Sequence, residues 1–173
     1  MARGFQSSGV TLVERPAIPK LRVQRMPGVA DRAEGLPAEP NTVRGADPWA
    51  LWLAPAEWLV YAFADTRASL IEMVDPWVRT GSHVCADVSS GLSLLELSGP
   101  NAIELLAAGC GLDLEGDAVP QNRCAQTLFH QVPLILHRPG GAELWRLIVD
   151  RSVSAFLCDS LCSAHEVRSL RSR

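Results

Sequence analysis

The regular alternations of apolar and polar positions lie beyond residue 48, and they arrive in pairs. "WALWLA" (49–54) and "EWLVYAFA" (57–64) are apolar and aromatic runs around a short Pro-containing turn, which predicts a β-hairpin. Asp65 or Thr66 then stands where a helix cap belongs. The helix is expected to run to about Val78, with Leu70, Ile71, Val74 and Trp77 on one face and Gly81 as its stop. "HVCADVS" (83–89) and "LSLLELS" (92–98) predict a second hairpin across Ser89, Ser90 and Gly91. Pro100 sits near the first turn of a helix ending at Gly109, and Gly99 beside it is expected to hold a backbone conformation that a side chain would strain. "RCAQTLFH" (123–130) and "VPLILHR" (132–138) form a third predicted hairpin, and "ELWRLIVD" (143–150) is the last core strand. Ser152 is placed to cap a final helix carrying Val153, Phe156, Leu157 and Leu161.

A weak internal repeat runs through this pattern. "WLVYAFADTRASLIEMV" and "LWRLIVDRSVSAFLCDSL" share an aromatic-rich strand, an Asp near its end, a Ser or Thr cap and an amphipathic helix. Strands outnumber helices and come as hairpins. This favours an α+β fold: an antiparallel or mixed sheet with helices packed on it, rather than a doubly wound parallel sheet. Neither G-x-G-x-x-G nor a Walker sequence is present.

The first 48 residues differ. Only "GVTLVER" (9–15) and "KLRVQRM" (20–26) read as strands, and "PGVADRAEGLPAEPNTVRGADP" (27–48) has turn chemistry without a sustained period. The few apolar residues there are too few to offset about 1–2 kcal/mol of backbone entropy per ordered residue. Residues 1–48 are therefore expected to be an extended assembly arm ordered by a partner, 49–168 an α+β domain, and 169–173 a basic tail.

Composition narrows the class. The chain has 173 residues, 47% of them apolar and 20% charged, which is globular rather than disordered. A formal net charge of -3 leaves no electrostatic footprint for nucleic acid or an anionic membrane. No apolar run approaches the roughly 20 residues that span a bilayer. The start, "MARGFQSSGV", lacks the apolar core of a signal peptide, so the expected location is the cytoplasm.

Candidate chemistry is sparse. The five cysteines (Cys85, Cys110, Cys124, Cys158, Cys162) read as reduced, buried thiols. Cys158 and Cys162 stand four apart on a helix, with His165 three further on, but no second ligand pair completes a zinc site. Asp87 ends a strand ahead of Ser89 and Ser90, where it is a general base or a turn former. His130 and His137 flank the third hairpin turn, and a Cys124–His130 dyad would need an orienting third group. Of the five tryptophans (Trp49, Trp52, Trp58, Trp77, Trp145), Trp49 beside Asp47 and Pro48 is the candidate interface anchor.

One stretch carries a family likeness. "ADVSSGLSLLELSGPNAIELLAAGCGLDL" (86–114) contains D-x-S-x-G at Asp87–Gly91, L-x-G-P at Leu97–Pro100 and L-x-x-G-C-x-L-D-L at Leu106–Leu114. With C-A-Q-T-L at Cys124–Leu128, D-R-S at Asp150–Ser152 and the upstream "LWLAPAEWLVY", it resembles the gamma subunit of heterotetrameric sarcosine oxidase over residues 46–165. The resemblance implies a fold like part of the glycine-cleavage T-protein. It also implies a complex that oxidatively demethylates sarcosine to glycine, with tetrahydrofolate accepting the one-carbon unit. FAD, covalent FMN and NAD would belong to its alpha and beta subunits and zinc to its delta subunit. The gamma role implied is structural, and no catalytic, cofactor-binding or metal-binding residue carries over onto this chain. Two alternatives stay open: a free-standing folate-binding protein related to the T-protein, and the equivalent subunit of an amine dehydrogenase such as N-methylglutamate dehydrogenase.

Overall fold

A computed structural model of the chain describes residues 4–7, 9–15, 18–29, 35–63, 67–140 and 143–171, without the side chains of 77, 78 and 168–171. The fold is α+β, with two sheets whose assigned strand pairs are all antiparallel. The strands are β1 (Gly4–Ser7), β2 (Val10–Arg15), β3 (Lys20–Arg25), β4 (Val43–Arg44), β5 (Trp49–Ala54), β6 (Glu57–Tyr61), β7 (His83–Asp87), β8 (Leu92–Ser98), β9 (Arg123–Phe129), β10 (Val132–Arg138) and β11 (Leu144–Asp150). The helices are α1 (Arg67–Arg79), α2 (Ala102–Ala107) and α3 (Ser154–Arg171).

The chain divides into two compact units, each with its own sheet. One comprises residues 1–16, 91–121 and 125–173 and carries the order β1-β2-β8-β11-β10-β9. Its core gathers Leu95, Leu97, Trp145 and Leu147 from the central strands, Leu105 and Leu106 from α2, and Leu157 and Leu161 from α3. The other comprises residues 17–90 and 122–124, with the order β4-β5-β6-β3-β7 and a core of Leu21, Val23, Trp58, Val60, Leu70 and Val74. β9 begins in this second unit and continues into the first.

Strand by strand, the two sheets are the same design. The order β7-β3-β6-β5-β4 matches β2-β8-β11-β10-β9, and a helix follows the third strand of each order, α1 after β6 and α3 after β11. The repeat read in the sequence is the visible part of this duplication. The second copy takes its outer strand, β2, from the beginning of the chain.

That arrangement corrects the expectation of an N-terminal arm. β2 pairs with β8 over Thr11–Arg15, and β3 lies between β6 and β7. Val10, Leu12, Leu21 and Val23 are buried. Each strand has few apolar residues, but a strand inserted into an existing sheet gains paired backbone and a covered face from its neighbours. The described part of the Gly/Pro-rich segment around Leu36 and Pro37 is tied down as well. Leu36 is buried in the second unit's core, and the buried Trp58 indole donates to the Pro37 carbonyl at 2.8 Å.

Other expectations hold or change for local reasons. The β5–β6 hairpin forms around Ala54–Glu57, with Ala56 at φ +69°. "HVCADVS" and "LSLLELS" are not a hairpin, because β7 and β8 belong to different sheets. Turn residues show where the chain turns, not which edge it joins next. In α1, Leu70 and Val74 are buried while Ile71 is exposed. In α3, Leu157 and Leu161 are buried while Phe156 is 59% exposed. In both helices, the buried stripe is narrower than the expected face. The Ser152 hydroxyl donates to Asp150 Oδ1 (2.6 Å) rather than capping α3, and α3 continues through residue 171, so 169–171 prolong the helix. The proposed caps Asp65 and Thr66 lie outside the described residues.

Gly99 holds the junction between the N-terminal strand and β8. Its φ is +112°, its N–H donates to the Glu143 carbonyl at 3.1 Å, and Asn101 N–H donates to the Gly9 carbonyl at 3.1 Å. A Cβ at position 99 would collide with the Gly9 carbonyl. Gly99→Val is therefore expected to lower stability by about 1–3 kcal/mol, through backbone strain and displacement of β2. Thermal unfolding checks this, and an unchanged Tm would contradict it.

Candidate functional site

The D-x-S motif forms one turn at each of two strand ends. Asp87 Oδ1 accepts from Ser89 N–H at 2.9 Å, and Asp150 Oδ1 accepts from Ser152 N–H at 2.8 Å. At the first turn Ser89 also bridges strands: its Oγ accepts from Lys20 N–H (2.9 Å) and donates to the Lys20 carbonyl (3.3 Å). Arg67 of α1 pairs with Asp87. The Ser89 hydroxyl and N–H, with the Arg67 charge, lower the Asp87 pKa, and the Ser152 hydroxyl and N–H do the same for Asp150. Hydrogen bonds that favour the carboxylate make Asp87 a weak base and a good turn former. Ser90 lies in the same turn.

The thiol and imidazole candidates do not converge. Cys124 donates to the carbonyls of Trp52 (3.4 Å) and Thr42 (3.7 Å), and burial pushes its pKa up to about 12, which leaves an inert thiol. His130 is in the β9–β10 turn at φ +52°, its ring edge-on to Phe129 at 4.7 Å, while Cys124 sits at the other end of β9. His137 lies within β10 opposite Arg146 of β11, whereas His130 lies in the turn outside both strands, so the two histidines are not cross-strand partners. On α3, Cys158 is buried in the core, Cys162 faces Glu166 (3.9 Å), and His165 stacks on Phe5 at 5.7 Å. Burial, with the Glu166 and Asp159 carboxylates, raises the Cys162 pKa. Among the described residues no three His, Cys, Asp or Glu side chains are grouped to hold a metal ion. All five cysteines are free thiols, but only Cys124 and Cys158 are buried; Cys85, Cys110 and Cys162 are half-exposed, contrary to expectation.

Aromatic residues are likewise used internally. Trp49 is half-buried, stacked on Tyr61 at 5.3 Å and edge-on to Phe63 at 5.8 Å, and Asp47 Oδ1 accepts from Phe63 N–H at 2.8 Å. Trp145 is fully buried with the Arg138 guanidinium 5.1 Å from its ring. Trp52 opposes Trp58 across the β5–β6 ladder.

Two surface features were not anticipated from the sequence. An open depression of about 590 Å³ in the first unit lies along α3, lined by Phe156, Ser160, Ser163 and Val167 together with Ala108 and His130. A second, of about 730 Å³ in the other unit, has Pro48, Ala50, Val60 and Met73 beside Arg44 and Asp47. The first lining holds the Ser160 and Ser163 hydroxyls together with Asp159 and His130, but no hydrogen bond joins a serine to either of them among the described residues; the second lining holds no serine, threonine, cysteine or histidine. The available signal for the first was Phe156 and Val167 falling outside the Leu157–Leu161 stripe.

Comparison with known proteins agrees with the topology. Residues 33–165 match the family described as "Sarcosine oxidase, gamma subunit family". The chain is 32% identical over 149 residues to the sarcosine oxidase subunit gamma of an Arthrobacter species, covering 81% of this chain and 72% of the relative. It is also 32% identical over 157 residues to that of Corynebacterium sp. strain P-1, covering 86% and 76%. In three dimensions it superposes on a chain of the heterotetrameric sarcosine oxidase from Corynebacterium sp. U-96, solved with pyrrole 2-carboxylate. The TM-score is 0.78 at 28% identity, covering 90% of this chain and 83% of that one. The glycine cleavage aminomethyltransferase T of Bartonella henselae shares the fold at 17% identity (TM-score 0.68). That match covers 88% of this chain and 45% of the longer one.

The buried His137 makes a pH prediction. Burial, then the Arg146 charge, pull its pKa down to about 3. The unfolded chain takes up a proton near pH 6.5 that the folded chain refuses until far lower pH. The stability is thus complete above pH 6.5 and falls as pH drops toward 3, with a slope of up to about 1.4 kcal/mol per pH unit from this residue. Urea unfolding between pH 7 and 4 should show this slope in the parent chain and lose it in His137→Gln. Equal slopes would contradict the assignment.

Proposed function

This chain belongs to the sarcosine oxidase gamma-subunit family, and from that premise we propose that it is the small structural subunit of a sarcosine oxidase complex, an oxidoreductase assembly. The family match over residues 33–165 carries the reading. Its partners are the alpha, beta and delta subunits of that complex. FAD, FMN, NAD, tetrahydrofolate and zinc are held by those subunits, and the oxidative demethylation of sarcosine takes place there.

What supports a structural role for this chain is where its polar groups are engaged. Asp87 and Asp150 close turns, Cys124 bonds to two backbone carbonyls, and His137 is enclosed in its sheet. A catalytic base, nucleophile or metal ligand must instead reach a substrate with its reactive atom exposed and its pKa suited to the task. No helix of the described residues is long and apolar enough to cross a membrane. The cytoplasm is the proposed site of assembly.

Co-expression with the flavin-bearing subunits tests the proposal. A tag on this chain is expected to recover those subunits in fixed stoichiometry with amine oxidase activity. The chain purified by itself is expected to be colourless and inactive toward sarcosine. Stoichiometric flavin on the isolated chain, or an active complex that excludes it, would contradict the proposal.

A further inference from the structure

The duplication leaves one strand position filled in one unit and vacant in the other. Strand for strand, β2-β8-β11-β10-β9 corresponds to β7-β3-β6-β5-β4, and β1 covers the outer edge of β2 while no described strand covers the corresponding edge of β7. The chain cannot supply one locally. β1 precedes β2 as a hairpin arm, whereas β7 follows α1 after only Thr80, Gly81 and Ser82.

The hydrogen-bond phase of β7 shows what this edge offers. Met26 N–H donates to the Ser82 carbonyl (2.9 Å) and Val88 N–H to the Lys20 carbonyl (3.0 Å), in line with the register that pairs Gln24 with Val84 and Arg22 with Ala86. Antiparallel pairing alternates, so Val84 and Ala86 direct their backbone groups toward β3. Cys85 and Asp87 direct theirs outward. The side chains of Val84 (47% exposed) and Ala86 are open to solvent beside that edge. Sheet edges that stay solvated are usually guarded by Lys, Pro, a bulge or extreme shortness. β7 has five residues, with neither Lys nor Pro and a continuous register against β3. The other outer strands differ: β1 has four residues and β4 two, and β9 is bridged at both ends, Arg123 by Thr42 and Phe129 by Cys110.

We infer that β7 is an assembly edge, which accepts an extended segment of a partner subunit as an added antiparallel strand in the position that β1 occupies in the other unit. The inference rests on the proposed function and names the surface through which it acts. Main-chain pairing at Cys85 and Asp87 supplies the contact, and apolar side chains of the incoming strand lie beside Val84 and Ala86. A small, nearly uncharged strand face suits an apolar segment of a large subunit.

Amide hydrogen exchange, measured on the full chain alone and in the co-purified complex, is the test. The Cys85 and Asp87 amides are expected to exchange fast in the free chain and to slow by about 100-fold or more on assembly. Cys85→Pro removes one outward N–H and spares the pairs to β3. It is expected to reduce recovery with the partner subunits at least about tenfold, while Cys85→Ala retains it. Should Cys85→Pro lose its unfolding transition, the exchange result on the parent chain decides. A complex that forms without slowing these two amides overturns the inference and leaves the proposed function standing. Failure to form any complex overturns both. Protection already present in the free chain and lost on dilution would assign the edge to a second copy, and also overturns the inference.

Discussion

Glu96 is where the beginning and the end of the chain are tied together. It sits on β8 between β2 and β11, opposite Val13 on one side and Arg146 on the other. One carboxylate oxygen accepts from Arg15 Nε at 2.6 Å, and the other from Arg146 Nε at 3.1 Å. Arg146 is buried, and breaking a buried pair by removing one member typically costs about 3–5 kcal/mol, because a desolvated charge loses a close partner. The six-stranded sheet needs the N-terminal strand for a different reason: Val10 and Leu12 of β2 are part of its buried core. Gly99 acts on the same seam just past the end of β8, three residues beyond Glu96, where its missing side chain lets the Gly9 backbone approach.

This seam explains how a duplicated design fits into 173 residues. Each copy needs a fifth strand. The first copy obtains β7 directly after α1, whereas the second reaches back to β2, which pairs with β8 from Arg15–Leu94 to Thr11–Ser98 across most of the intervening chain. A pairing of that separation carries a loop-closure cost, which burial of Leu94, Leu95 and Leu97 on β8 helps to offset.

Much of this was legible in the sequence and some was not, for identifiable reasons. The β5–β6 hairpin, the positive φ at Gly99 and the strand–helix repeat are local signals, set within a few residues by turn chemistry and periodicity. The placement of β2 and β3 is not local. "GVTLVER" has the alternation of a half-buried strand, but nothing in it names β8 as its neighbour. The break between β7 and β8 was hidden likewise, since Ser89–Gly91 turns the chain in the same way whether the next strand joins the same sheet or another. Among the candidate site residues, Asp87 was readable as a turn former from its D-x-S context. The engagement of Cys124 with Thr42 and Trp52 depends on segments 72 or more residues away. Phe156 was misplaced because an apolar residue beside a buried stripe looks the same in sequence whichever side of the boundary it falls on.

The functional account turns on a division of labour: this chain contributes folded surface, and its partners contribute chemistry. A density map of the assembled complex tests that most directly, because it locates every bound cofactor and this chain together. The account predicts that all flavin, nucleotide, folate and metal density is enclosed by other subunits, with β2 still paired to β8. A cofactor held by side chains of this chain, at either depression or elsewhere, would contradict it.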